Sequence, residues 1–259
     1  MQDRRRSALG FWLLCALAIW ATHATAYFFH EYWHSLVAWV AGFRANPLAI
    51  DYGHLTPGNI LVQSEVDDAV PYDAIFGRGK DAVAALIAFA GMGFGNGLLY
   101  AVSRVLLRSR TVRHHSSTYL FGFWLCLMNV GNFLDYVPVR TFVSHGDMAY
   151  VARGLHVSPW VILVALGYPT AWALVHFLRK VLPDMLCHAA PQAMPHRVAL
   201  VAITVFILFG YYGSAGFTGY GEVSHTLSAI SMLSCPIILA ECWPAGDRQV
   251  RGSSGKESC

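Results

Sequence analysis

The chain is predicted to be an all-α polytopic membrane protein with about six transmembrane helices and a small β-containing extracytoplasmic loop. Three observations predict this class. Of 259 residues, 56% are hydrophobic and only 13% charged, with mean hydropathy +0.45, whereas a soluble domain carries roughly 25% charged residues. Six apolar segments reach or approach the roughly 20 residues that a helix needs to cross a bilayer. Lys and Arg also alternate between successive connections, as they do where charge orients the spans.

The segments run over 8–43, 82–106, 119–138, 159–177, 198–213 and 225–240. The first begins with a basic stretch, but its apolar run continues past Glu31 to Phe43 without an A-x-A-like cleavage site. It therefore reads as a span and not as a cleaved signal peptide. Arg4, Arg5 and Arg6, then Arg104, Arg108, Arg110 and Arg113, then Arg179, Lys180 and Arg197, and finally Arg248, Arg251 and Lys256 place 13 cations on one side. Arg44, Arg78, Lys80, Arg140 and Arg153 place 5 on the other. The excess predicts cytoplasmic N- and C-termini and a multi-pass protein, with a bacterial inner membrane the expected location. The longest connection, 44–81, contains Pro47, Gly53, Pro57, Gly58 and Pro71 around β-prone pieces such as 60–62. It is expected to hold a hairpin or small sheet. The six cysteines form no C-x-x-C pair and suggest neither a disulfide framework nor a thiolate metal site.

Within the first span, "FFHEYWHSLVAW" places His30, Glu31 and His34 among aromatic and aliphatic residues. An ionisable group at membrane depth is expensive, and a functional role is the default reading. On a helix, His30 and His34 share a face and can hold one metal ion. Glu31 beside them can take a proton from a water that the metal activates, as in the HExxH arrangement of zinc-dependent hydrolases. His23, seven residues earlier, is either an outer partner of that site or a packed core histidine. From Ala8 to His30 a straight helix rises about 33 Å, which places the motif towards the extracytoplasmic side.

A catalytic zinc needs a third protein ligand. The stretch "NVGNFLDYVPVRTFVSHGDM" over 129–148 lies on the same side and offers Asp135, His145 and Asp147. Asp147 is preferred, with Asp135 the alternative. Asn129, Asn132 and Asp135 form one polar ridge at helical spacing. Such a ridge either lines a wet cavity or makes ordinary interhelical hydrogen bonds.

These residues resemble the site-2 protease family of intramembrane zinc metalloproteases. The resemblance rests on His30-Glu31-Tyr32-Trp33-His34 in an early span, on "FAGMGFGNGLL" over 89–99 in the next, and on the stretch ending in "HGDM". The family's usual Gly-Pro reads Gly91-Met92 here, and Gly146 precedes Asp147 instead of following it. The resemblance covers roughly residues 20–155. It implies Zn2+ on His30, His34 and Asp147, Glu31 as general base, and Asn96 and Asn132 near the substrate. It also implies a three-span catalytic core over 1–155 including loop 44–81. Three further spans over 156–243 and a disordered cytoplasmic tail over 244–259 complete the expected organisation. The glycines at 91, 93, 95 and 97 are expected to allow close helix approach.

The expected function is hydrolysis of peptide bonds in membrane-associated substrates. The partners are then a membrane-protein or peptide substrate and the lipid bilayer, with no nucleic acid; the sequence sets no oligomeric state. A non-proteolytic membrane protein, either a metal carrier or a pseudoprotease that binds partner proteins, is the alternative. A membrane di-iron oxygenase would need further histidine boxes, and the His114-His115 pair falls on the opposite side from His30 by the charge count.

Overall fold

A computed structural model describes residues 2–188, 190 and 193–244, with side chains from residue 8 onward. The expected tail lies outside the described residues from 245 onward. Among the described residues, six helices are long and apolar enough to cross a membrane. The first is α1, Gln2–Val40. With no glycine or proline between Gly10 and Gly42, nothing interrupts it. It ends where Gly42 turns left-handed (φ +80°). There the Gly42 and Phe43 amides donate to the Trp39 and Ala38 carbonyls, a Schellman closure.

The connection that follows holds two short helices, α2 (Pro57–Val62) and α3 (Tyr72–Gly77). Among the described residues no strand forms; an isolated antiparallel bridge between Asp51 and Asp67 is the remnant of the expected β-element. The β-prone piece 60–62 is instead helical. Thr56 caps the amide of Asn59 and Pro57 starts the turn, a combination that sets helix and not strand. α2 also docks on α1: the Trp20 indole donates to the Ile60 carbonyl at 2.9 Å, and His23 bonds Gln63 at 2.8 Å. The connection thus folds back along the first span to the level of Trp20.

The second span, α4 (Asp81–Arg108), contains a π-helical turn over Gly91–Asn96. After α5 (Arg110–Arg113) comes α6 (Ser116–Val139), with a π turn at Asp135–Val139. α7 (Asp147–Gly154) is a short helix outside the spans. It is followed by α8 (Pro159–His188), α9 (Met194–Thr218) and α10 (Glu222–Glu241).

α6 is the centre of the bundle. Trp124, Phe123 and Leu127 are fully buried in a core shared with Cys15 of α1, Phe177 of α8 and Val201 of α9. The last three spans therefore pack into the same core as the first three. A second core gathers Ala38, Ile75, Ile87, Tyr136 and Met148 around the histidines. Close approach by glycine holds at two of the four expected positions. A Cβ on Gly95 would stand 3.2 Å from the His30 Cα, and one on Gly91 would strike the His30 and His34 rings.

Candidate metal centre

His30 and His34 lie one turn apart on α1, both almost completely buried. Each imidazole is fixed by its Nδ1. His34 Nδ1 donates to the Ile87 carbonyl at 2.7 Å, and His30 Nδ1 bonds Asn96 Oδ1 at 2.7 Å. Asn96 is oriented in turn, since its amide nitrogen donates to Asn129 Oδ1 at 3.0 Å and to the Ala26 carbonyl at 3.4 Å. With both Nδ1 atoms occupied, both Nε2 lone pairs point inward, as in metal-binding histidines whose outer nitrogen is held by a carbonyl or carboxylate.

Asp147 meets them from the start of α7. Gly146 precedes it at φ +112°, ψ 175°, a region open essentially to glycine alone. That turn swings Asp147 back over α1. Its Oδ2 lies 2.9 Å from His30 Nε2 and 3.2 Å from His34 Nε2, and the two Nε2 atoms are 2.9 Å apart. Three ligands about 2 Å from a tetrahedral ion sit about 3.3 Å from one another. The donor triangle is contracted from that spacing by a few tenths of an ångström, so this group is able to hold a metal ion. Burial alone would raise the Asp147 carboxyl; imidazoles of His34 and His30 that carry a proton on Nε2 in place of a metal hold it well below the usual carboxylate range. Gly91 faces the triangle from α4; a Cβ there would lie 2.6 Å from His30 Nε2 and nearer still to His34 Nε2.

A second buried group, Glu31, His34 and Asp68, adjoins the first. Its histidine nitrogen, His34 Nδ1, is 4.0 Å from Asp68 Oδ2 and already donates to Ile87. The group therefore presents two carboxylates beside the triangle and no second open imidazole. Asp68 accepts from the Tyr72 hydroxyl at 3.1 Å and the Val70 amide at 2.7 Å. Burial pushes its carboxyl up, against the opposing pull of His34.

No family model, curated protein or solved structure matches the chain.

Of the residues expected at the site, His30, Glu31, His34 and Asp147 converge. Asp135, the alternative third ligand, stays apart and pairs with Arg140 at 3.4 Å. His145 is exposed and bonds Ser144. Asn96, expected near substrate, is fully buried behind His30; it orients the ring. Asn132 is nearly buried, and its amide nitrogen donates to the Met128 carbonyl at 3.0 Å. The polar ridge of α6 thus includes an interhelical bond, which Asn129 Oδ1 accepts from the Asn96 amide nitrogen. His23 is the packed core histidine of the two readings, held between Gln63 and Tyr211.

Three neighbours carry no sign in the sequence that would place them at the site. Tyr136 stacks on His30 at 4.7 Å, Asp68 faces Glu31, and Gly91 abuts the triangle. The run "GMGFGNG" draws attention to Gly91, but only as a packing residue. Nothing in the sequence singles out Asp68 or Tyr136.

Proposed function

We propose that the chain is an intramembrane zinc metalloprotease of the site-2 type, hydrolysing peptide bonds of membrane-associated substrates. The observation that carries this reading is the triangle of His30 Nε2, His34 Nε2 and Asp147 Oδ2 with the Glu31 carboxylate beside it. Two histidines and one carboxylate are a donor set used by catalytic zinc, which keeps a further position open. Bound there, zinc supplies Lewis acidity to a peptide carbonyl and lowers the pKa of water to about 7.

The protein supplies the remainder. Asn96 and Ile87 hold the imidazoles in the tautomer that leaves Nε2 free. The Glu31 carboxylate takes one proton from the attacking water and delivers it to the leaving amide nitrogen. The C–N bond breaks, leaving a carboxylic acid, which retains the water's second proton, and an amine. The surrounding apolar core limits water access and strengthens each of these electrostatic interactions. A helical substrate must unwind locally first, because its peptide bonds are already hydrogen-bonded and shielded.

The test is Glu31→Gln in proteoliposomes with a membrane-anchored reporter peptide. Cleavage is expected to fall to background while bound zinc, measured by elemental mass spectrometry, stays near parental. Stripping the metal from the parental protein should abolish cleavage, and zinc should restore it. Parental-rate cleavage by the Gln variant would overturn the assignment of Glu31. Zinc flux across the vesicles with no cleavage by the parental protein would favour the carrier reading.

A further inference from the structure

At the end of the bundle remote from the metal centre, a cavity of about 310 Å³ opens between α4, α5, α6 and α8. Arg104 and Arg108 line it from α4, Arg113 from α5 and Lys180 from α8. Asp184 is the one carboxylate among its lining residues, at 3.9 Å from Arg113. Arg104 Nη2 is held 3.0 Å from His176 Nε2, and Arg113 Nε donates to the Leu107 carbonyl at 3.1 Å. Four cations from three elements thus converge on one space with a single counter-charge, and two of them are pinned by further contacts. The place is about 12 Å along α4 from Asn96 to Arg104, at the rise of a regular helix, and takes no part in the proposed reaction.

The surface beside the cavity is apolar. Trp172 stacks on His176 at 5.2 Å and is 55% exposed, and Val105 is 69% exposed. These two side chains belong to two spans and lie one to two helical turns from the cavity-lining Arg108 and Lys180, towards the middle of the bundle. A concentrated positive pocket at a helix end, with exposed apolar side chains a turn or two away, matches a molecule with an anionic head and hydrocarbon chains. Basic pockets between spanning helices hold anionic headgroups in this way.

We propose that this cavity binds the phosphodiester headgroup of an anionic phospholipid, whose acyl chains run along Val105 and Trp172. A free anion would use the same cations but gain nothing from the apolar side chains. Scattered interfacial Arg and Lys, by contrast, would show no preference tied to these positions.

Delipidated protein in neutral detergent should be offered equimolar phosphatidylglycerol and phosphatidylcholine and read by native mass spectrometry. Each cation near an anionic headgroup strengthens binding, so the parental protein is expected to favour phosphatidylglycerol by about tenfold or more. Arg104→Gln/Arg108→Gln/Lys180→Gln should bind the two lipids about equally, while Arg104→Lys/Arg108→Lys/Lys180→Arg keeps the preference. If the Gln triple does not fold, exposed Lys180→Gln alone should lower the preference about threefold. Equal binding by the parental protein, an unchanged preference in the Gln triple or, if that triple does not fold, in Lys180→Gln would overturn the proposal. So would thermal stabilisation by inorganic phosphate equal to that by phosphatidylglycerol.

Discussion

Gly91 is where the smallest change should disturb the candidate metal centre most. A methyl group there would meet both Nε2 atoms, and neither imidazole can retreat while Ile87 and Asn96 hold its far side. Gly91→Ala is therefore expected to fold with near-parental helical content yet lose metal affinity by about 10–100-fold, the range seen when groups supporting metal ligands are disturbed. Competition with a chelator of known affinity measures it. Asn96→Ala separates two roles. If Asn96 orients His30, zinc affinity should drop by a similar 10–100-fold, and the unpaired Asn129 Oδ1 acceptor should lower stability by about 1–3 kcal/mol. If it instead contacts substrate, KM rises and zinc content stays. His30, Glu31 and His34 were legible in the sequence because an ionisable group within an apolar helix is costly to bury without a partner or a role. Asp147 was legible only as one of three candidates, since its closeness to α1 depends on the backbone at Gly146. Asp68 and Tyr136 were illegible, because their roles arise from neighbours 30 to 110 residues away in the chain.

Elements differ in how plainly the sequence announces them. The six spans were legible because a helix satisfies every backbone group internally, and long apolar runs leave few alternatives in lipid. In the connection 44–81 the β-prone residues 60–62 are helical because Thr56 and Pro57 start a helical turn and α1 offers that turn a surface to dock on. The π turns in α4 and α6 have no simple sequence sign. The turn over Gly91–Asn96 nevertheless carries both the glycine that clears the triangle and the asparagine that holds His30, in keeping with the frequent occurrence of such turns at functional sites. α7 gives the sharpest test at this scale. Its first residue is the carboxylate of the triangle, and Gly146 aims it. Gly146→Ala should cost about 1–3 kcal/mol for the backbone region it would have to occupy, or else be relieved by turning Asp147 away. Zinc content should fall together with cleavage, and the thermal midpoint should drop. Full zinc occupancy with unchanged activity would show that the aim of α7 does not depend on this turn.

On the scale of the whole molecule, an even number of crossings places the two ends of the six-span unit on one side of the membrane. Which side follows from charge. The cations of the α4–α6 connection and of α8 gather at one end of the bundle, and Trp12 bonds His196 at 2.9 Å, tying the start of α1 to the start of α9 at that same end. The candidate metal centre, Arg140 and Arg153 lie at the other end, where Arg140 and Arg153 already have partners in Asp135 and Asp73. Because Lys and Arg resist translocation when close to a span, the basic end is predicted to face the cytoplasm and the metal centre to lie towards the opposite leaflet. A fluorescent protein joined after residue 259 should fold and fluoresce in a bacterial host. Alkaline phosphatase joined in the connection between α6 and α7 should be active, since it gains its disulfides only outside the cytoplasm. The reverse pattern would place the triangle on the cytoplasmic side and change which segments of a membrane substrate could reach it.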